Sequence, residues 1–272
     1  MCDTIPTFDY RAAETAILPW RKDVYGEAGG FSLPMHIYAP TVPNENASTA
    51  VLCIHGGSWV SALKKDVVWQ GDWMRHHARF LSTLGFYAFE ITYRSIGRDD
   101  EPPTGFDLAD IVADVKCAMA YLKETLAPAL GLTRFAVMGD SAGAHLALCL
   151  ALAEEEALRP DVVVACNPVS DCVTLNRWQG RLKTREEQMR VSPLHLACKT
   201  KTKILIQHGT ADAVVSPADS DALFAALKAQ GCDVTLTPVA GANHAFILYG
   251  FNGNEDEIHR CMTEAVRFIK SR

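Results

Sequence analysis

No C-x-x-C pair, no His/Cys cluster and no long apolar run occurs in this chain of 272 residues. Its nine cysteines are an odd number at scattered spacing, which argues against both a disulfide framework and a zinc site. Several of them, Cys53, Cys149 and Cys166 among them, sit inside apolar runs and read as small reduced core residues. No stretch approaches the roughly eighteen apolar residues that a membrane span needs. The start, Met1-Cys2-Asp3-Thr4-Ile5-Pro6, lacks the basic and apolar regions of a secretory signal, so the chain reads as cytoplasmic. Also lacking is any large block of one charge. With a net charge of −6 and charges mixed along most of the chain, a nucleic-acid partner is not expected. No repeat period or low-complexity tract interrupts it.

What the chain has is apolar content, 49%, enough for one sizeable core, and the expectation is a single domain over residues 1–272. From about residue 50 onward, apolar runs of strand length alternate with helix-length segments. That alternation predicts an α/β fold, a mostly parallel sheet wrapped by helices. The strand candidates are Ala50 to Ile54, Phe86 to Tyr93, Phe135 to Met138, Val162 to Cys166, Ile204 to Gln207 and Val234 to Val239. Helical spacing runs over Trp73 to Leu84, Leu108 to Leu126, His145 to Glu155, Ala218 to Gln230 and Glu255 to Ile269. Upstream, Phe31 to Tyr38 reads as an antiparallel edge strand. The stretch 171–201 is too long for an ordinary strand-to-helix connection, and it carries a short helical pattern near Arg185 to Val191. It reads as a small lid-like insertion.

The chemistry concentrates at four turns. Gly139-Asp140-Ser141-Ala142-Gly143 follows an apolar run and opens a helical stretch, so it reads as a sharp strand-to-helix turn that presents one hydroxyl. A serine that attacks a carbonyl needs a base, the base needs an orienting acid, and the developing oxyanion needs donors. His244, in Gly241-Ala242-Asn243-His244-Ala245-Phe246, follows the last strand candidate and is the candidate base. Asp212, in Gln207-His208-Gly209-Thr210-Ala211-Asp212, follows the preceding one and is the candidate acid. Asp171, after an earlier strand, is its rival. The order Ser141, Asp212, His244 suits a triad built on this topology. The N–H of Ala142 and those of Gly57 and Ser58, in His55-Gly56-Gly57-Ser58-Trp59, are the candidate oxyanion donors. His55 and His208 precede glycines at strand ends and read as loop braces.

Taken together, these four segments resemble the α/β-hydrolase superfamily, esterase/lipase type, from about residue 30 to the end. They are similar to hormone-sensitive-lipase-like carboxylesterases and to bacterial acetyl-xylan and feruloyl esterases. Two departures mark the chain: Ser58 stands where the lipase-like enzymes carry a third glycine, and His145 where they carry asparagine. His208-Gly209-Thr210-Ala211-Asp212 is more similar to the carbohydrate-esterase and prolyl-oligopeptidase-like branches. The resemblance implies a metal-free, cofactor-free Ser-Asp-His hydrolase acting on a small ester, with acetyl or aromatic acyl groups on carbohydrate expected.

Candidate substrate contacts are Trp59, Trp178 and Arg177. The tryptophans would stack on an aromatic acyl group or a sugar ring, and Arg177 would meet a carboxylate. The segment Asp171 to Lys203 carries eight Lys or Arg against three Asp or Glu, opposite in sign to the whole chain. An aryl formamidase, a peptidase-like hydrolase and a non-catalytic binding protein on the same fold stay open, as does a homo-oligomer.

Overall fold

The apolar runs assemble side by side because each carries backbone groups that only a neighbouring strand satisfies, and the central ones are covered on both faces. A computed structural model of the chain describes residues 5–42, 44–60, 72–97, 104–174, 182, 184–249, 251–252 and 254–271. Its strands are β1 (Arg21–Ala28), β2 (Phe31–Tyr38), β3 (Thr49–Ile54), β4 (Tyr87–Ile91), β5 (Arg134–Asp140), β6 (Val162–Cys166), β7 (Lys203–Gly209) and β8 (Val234–Val239). They form one eight-stranded sheet in the order β1-β2-β4-β3-β5-β6-β7-β8. β2 pairs antiparallel with β1 and β4, and every other pair is parallel.

Alternate residues of each central strand feed opposite cores. Leu52, Ile54, Val137, Ile204 and Ile206 belong to one apolar cluster, whereas Val51, Cys53, Met138, Val164 and Leu205 belong to the other. The helices are α1 (Tyr10–Ala16), α2 (Asp72–Thr83), α3 (Leu108–Tyr121), α4 (Ala127–Leu130), α5 (Ala142–Ala151), α6 (Arg185–Arg190), α7 (Pro193–Leu196), α8 (Pro217–Ala229) and α9 (Glu255–Lys270). The first cluster takes residues of α3, α5 and α8, the second those of α2 and α9. All ten residues of α5 are buried, which is why its sequence shows no polar face. By contrast α9 opens with Glu255, Asp256 and Glu257 and closes with Arg267 and Lys270, charges that complement its dipole. The helical pattern over 108–126 is realised as α3 followed by a widened π-helical turn, Leu122–Leu126, that leads into α4. No helix among the described residues is long and apolar enough to cross a membrane.

One expectation needs correction. Phe31–Tyr38 is antiparallel but is not the edge, because β1 lies outside it. β1 escapes detection by composition: Arg-Lys-Asp-Val-Tyr-Gly-Glu-Ala buries chiefly Tyr25 and leaves most of its side chains in solvent. The insertion 171–201 packs onto the body of the fold where it is described. Leu182 and Val191 join the first core cluster, and α6 and α7 pack on each other, with α7 also against α5 and α8.

Candidate active site

The strand-to-helix turn holds Ser141 in a conformation that few residues adopt. Its φ of 52° and ψ of −118° fall outside the ordinary regions for an L-residue, at a cost of about 1–3 kcal/mol. The surroundings fix it there: Ser141 N–H donates to the Cys166 carbonyl at 2.9 Å, and His145 N–H donates to the Ser141 carbonyl at 3.0 Å.

Ser141 Oγ lies 2.9 Å from His244 Nε2, and His244 Nδ1 lies 2.7 Å from Asp212 Oδ2. Three segments remote in sequence therefore meet in one hydrogen-bonded line. Because Oδ2 is an acceptor, His244 carries its proton on Nδ1 and leaves Nε2 free to accept from the serine hydroxyl. Asp212 Oδ1 takes the Val214 and Val215 N–H groups at 2.8 and 2.9 Å. Burial alone would raise the Asp212 pKa, but the bonds from His208, His244 and these two amides hold it well below the usual carboxylate range. Burial likewise opposes charge on His244, yet the Asp212 hydrogen bond and the charges of Asp140 and Asp212 carry its pKa above the ordinary value.

The rival acid is engaged elsewhere. Asp171 Oδ1 accepts from Val173 N–H at 2.8 Å and lies 3.3 Å from His195 Nε2, while Oδ2 accepts from the Thr174 hydroxyl at 3.0 Å.

The loop after β3 lies directly against the turn. A methyl group on Gly56 would stand 2.7 Å from the Asp140 carbonyl oxygen and 3.2 Å from Ser141 Cβ. Beyond it, Ser58 and Trp59 adopt φ of 54° and 58°, and Val60 N–H closes the turn on the Gly57 carbonyl at 3.1 Å. Two successive left-handed residues turn the local amides away from the sheet. Neither the Gly57 nor the Ser58 N–H has an acceptor among the described residues. Ala142 is the first residue of α5, whose leading N–H groups have no intrahelical partner.

The segment after β4 braces this loop, a role that its sequence did not signal. Tyr93 Oη donates to the His55 carbonyl at 2.8 Å and its ring stacks on His55 at 4.2 Å. Ser95 Oγ donates to the Val60 carbonyl at 2.9 Å and Ile96 N–H to that of Trp59 at 3.0 Å. Behind the serine, Asn167, itself at φ 40°, donates Nδ2–H to Asp140 Oδ1 at 2.7 Å.

Of the candidate substrate contacts, Trp59 is placed differently from the expectation. It is 2% exposed, and its ring packs edge-on against His145 at 5.2 Å, so it offers no open face for stacking. His145 is itself buried, donates Nε2–H to the Val191 carbonyl at 2.7 Å, and is pushed down to about 4 by burial. Trp178 and Arg177 lie outside the described residues. A cavity of about 250 Å³ opens beside His244, lined by Asn243, Phe246 and the exposed Phe251. A larger one, about 520 Å³, is lined by Arg159, Asp161, Lys199 and Lys201 at the opposite ends of the strands and contains none of the site residues. No cluster of metal-ligating side chains occurs among the described residues.

A model of the BD-FAE family matches residues 35–227. The chain belongs to the BD-FAE family. Among solved structures, Thermogutta terrifontis esterase 2 in its apo form is similar, with 26% identity, a TM-score of 0.77, and 92% of this chain and 93% of that one covered. The same esterase phosphoramylated by tabun gives 25% identity and 0.77 over 92% and 93%. Its propionate-bound form gives 26% and 0.76 over 96% of each chain. A non-reducing polyketide synthase of Emericella nidulans, pkbA, is 32% identical over 170 residues, which are 59% of this chain. The match spans only 6% of that synthase. This BD-FAE member thus shares the α/β-hydrolase fold of its esterase neighbours.

Proposed function

We propose that this BD-FAE protein cleaves short-chain or aromatic acyl esters through an acyl-enzyme formed on Ser141. The observation that carries the reading is the unbroken line from Ser141 Oγ through His244 to Asp212, at 2.9 and 2.7 Å. His244 Nε2 takes the hydroxyl proton as Ser141 attacks the carbonyl carbon. Asp212 holds the imidazole in its Nδ1–H form and stabilises the cation that results. The N–H groups of Gly57, Ser58 and Ala142 receive the oxyanion, each such donor being worth about a hundredfold or more in rate. The imidazolium then protonates the departing alcohol, and a water activated by the same histidine releases the acid. No metal or cofactor is required for any of these steps.

One observation supports a small acyl group: the similar esterase 2 is known with propionate bound. An acetyl ester of a carbohydrate is the substrate in keeping with it, and a feruloyl ester is the aromatic alternative. The absence of disulfides among the described cysteines is in keeping with a reducing, cytoplasmic setting.

The deciding experiment combines fluorophosphonate labelling with burst kinetics on p-nitrophenyl acetate. Wild type should take one adduct on Ser141 and release a burst of nitrophenol, and Ser141→Ala should do neither. Full turnover in Ser141→Ala would refute the mechanism. Assays on a feruloyl ester and on N-formylkynurenine separate the esterase from the formamidase.

A further inference from the structure

Asp212 receives a second imidazole. His208 Nε2 lies 3.2 Å from Asp212 Oδ2, the same oxygen that takes the His244 Nδ1–H. That nitrogen also stands 3.1 Å from the Val215 carbonyl oxygen. Both neighbours are acceptors only, so His208 Nε2 carries a proton. On the other side of the ring, Ser220 Oγ lies 2.7 Å from Nδ1. His208 is 2% exposed and Ser220 is fully buried. The ring is thus clamped between the end of β7, the turn over 212–215 and the first turns of α8, with its Nε2–H bonded to the Val215 carbonyl and standing 3.2 Å from the carboxylate.

We propose that His208 is a positioning residue of the hydrolytic site: its Nε2–H fixes Asp212 Oδ2 in register with His244 and tempers how tightly that carboxylate holds the His244 proton. This inference rests on the Ser141, His244 and Asp212 reading above. Asp212 has three hydrogen-bond donors, two backbone amides on Oδ1 and His244 on Oδ2, and His208 Nε2–H stands 3.2 Å from Oδ2 as a fourth neighbour of positive polarity. Each donor puts partial positive charge against the carboxylate, which weakens its pull on any one proton. With His208 removed, Oδ2 would keep one partner. The carboxylate would then be freer to turn and would bind the His244 cation more strongly.

The other charged groups nearby do not duplicate this contact. His244 faces Asp212 and, through space, Asp140. His208 faces Asp212 from the turn and Ser220 and Asp219 from α8, and Asp219 in turn feels Asp171. Within the described residues, His244 at 2.7 Å and His208 at 3.2 Å are the imidazoles in reach of Oδ2.

The test compares wild type with His208→Phe, His208→Gln and Ser220→Ala. Two readouts are taken: the pH profile of kcat/KM on p-nitrophenyl acetate, and the His244 titration by NMR of histidine labelled at 13Cε1, assigned with His244→Asn. His208→Phe should lower kcat about tenfold, with KM within about twofold. It should also raise both midpoints by about half a unit. His208→Gln, whose amide nitrogen can reach Oδ2, should recover most of kcat and the wild-type midpoint. Ser220→Ala should shift the midpoint the same way as His208→Phe, but less. Unchanged midpoints in folded His208→Phe, or a His208→Gln indistinguishable from it, would overturn the proposal. Should His208→Phe not fold, Ser220→Ala decides: a raised NMR midpoint supports the role and an unchanged one overturns it. Because the NMR midpoint needs no turnover, it still reads the His208 effect if Ser141→Ala proves active and the triad reading fails.

Discussion

Gly143, in the first turn of α5, lies so close under the end of β3 that a methyl group on it would stand 2.0 Å from the Ile54 carbonyl oxygen and 2.6 Å from that of His55. This contact presses together the helix that begins at Ala142 and the strand end that leads into the His55-Gly56-Gly57 loop. Both oxygens belong to backbone, so neither side can give way without moving the strand or the helix. Gly143→Ala is therefore expected to cost about 3 kcal/mol or more, which for a chain of this size lowers Tm by roughly 6–12 °C. Activity should fall about a hundredfold, because the donors move relative to Ser141. Gly131→Ala is the control. At φ 70° it meets nothing within 4 Å, so it should cost about 1 kcal/mol of backbone strain and leave kcat unchanged. Thermal melts and p-nitrophenyl acetate assays on the two variants check both statements.

Asp212 and Asp171 both follow strand ends, and substitution tells them apart. Asp212→Asn keeps the volume but presents an amide where His244 Nδ1–H needs an acceptor, so the imidazole is released into the wrong tautomer. The expected loss in kcat is about 10³–10⁴-fold with folding retained. Asp171→Asn loosens a turn held by Val173, Thr174 and His195, and kcat should stay within about threefold. Steady-state kinetics at the pH optimum settle the comparison, and equal losses would mean that Asp171 takes part in the reaction.

How much of this was legible in the sequence depends on whether the signal was local. Val162–Cys166 runs as a strand between the residues that its apolar run marks, because burial on both faces leaves a continuous signature, whereas Val234–Val239, at the sheet edge, was marked by apolar residues alternating with polar ones. β1 left none, since an edge strand that buries chiefly Tyr25 looks like surface. The turn around Ser141 was legible for a similar reason: a tight strand-to-helix turn needs its glycines in sequence order. The choice of Asp212 over Asp171 rested on chain order, since Asp212 follows the strand preceding the one that leads to His244, and the 2.7 Å contact agrees with it. Not legible was the orientation of Trp59, which neighbours the loop in sequence while its left-handed backbone sends the ring into the core beside His145. Tyr93 gave no sign of its contact with His55, a residue 38 positions away.

Asp140 ties stability to pH. Burial pushes its carboxyl up to about 7, against the opposing pull of His244 and the Asn167 bond. Its folded pKa thus exceeds the unfolded value, and the folded protein binds a proton that the unfolded chain releases above about pH 4. The resulting stabilisation is present in full below that pH and is lost as pH rises through about 7. Asp140→Asn cannot ionise, so its stability relative to wild type should improve between pH 5 and pH 8, by a few kcal/mol at most in order of magnitude. Urea melts of both proteins at the two pH values measure the difference, and a constant gap would mean that Asp140 does not titrate in this range. Where Asp140 is ionised, above about pH 7, the same variant removes a negative charge near His244 and so favours the neutral imidazole there.

The last prediction concerns Tyr93, whose hydroxyl donates to the His55 carbonyl at 2.8 Å and lies 3.3 Å from that of Gly56. The Gly56 carbonyl shares its peptide plane with the Gly57 N–H, and the His55 carbonyl shares its plane with the Gly56 N–H just before it, so the hydroxyl fixes the plane of one candidate oxyanion donor and of the peptide that leads into it. Tyr93→Phe keeps the ring stacked on His55 and deletes only this anchor. The His55 carbonyl is then left in a buried place with one donor fewer, at a cost of about 1–3 kcal/mol in stability. Catalysis should suffer in a specific way. A donor that has drifted by part of an ångström still tolerates the ground-state ester but serves the tetrahedral oxyanion poorly, so kcat should fall about tenfold while KM changes little. A rise in KM with kcat intact would instead locate Tyr93 in ground-state binding and separate the loop at 56–58 from oxyanion stabilisation.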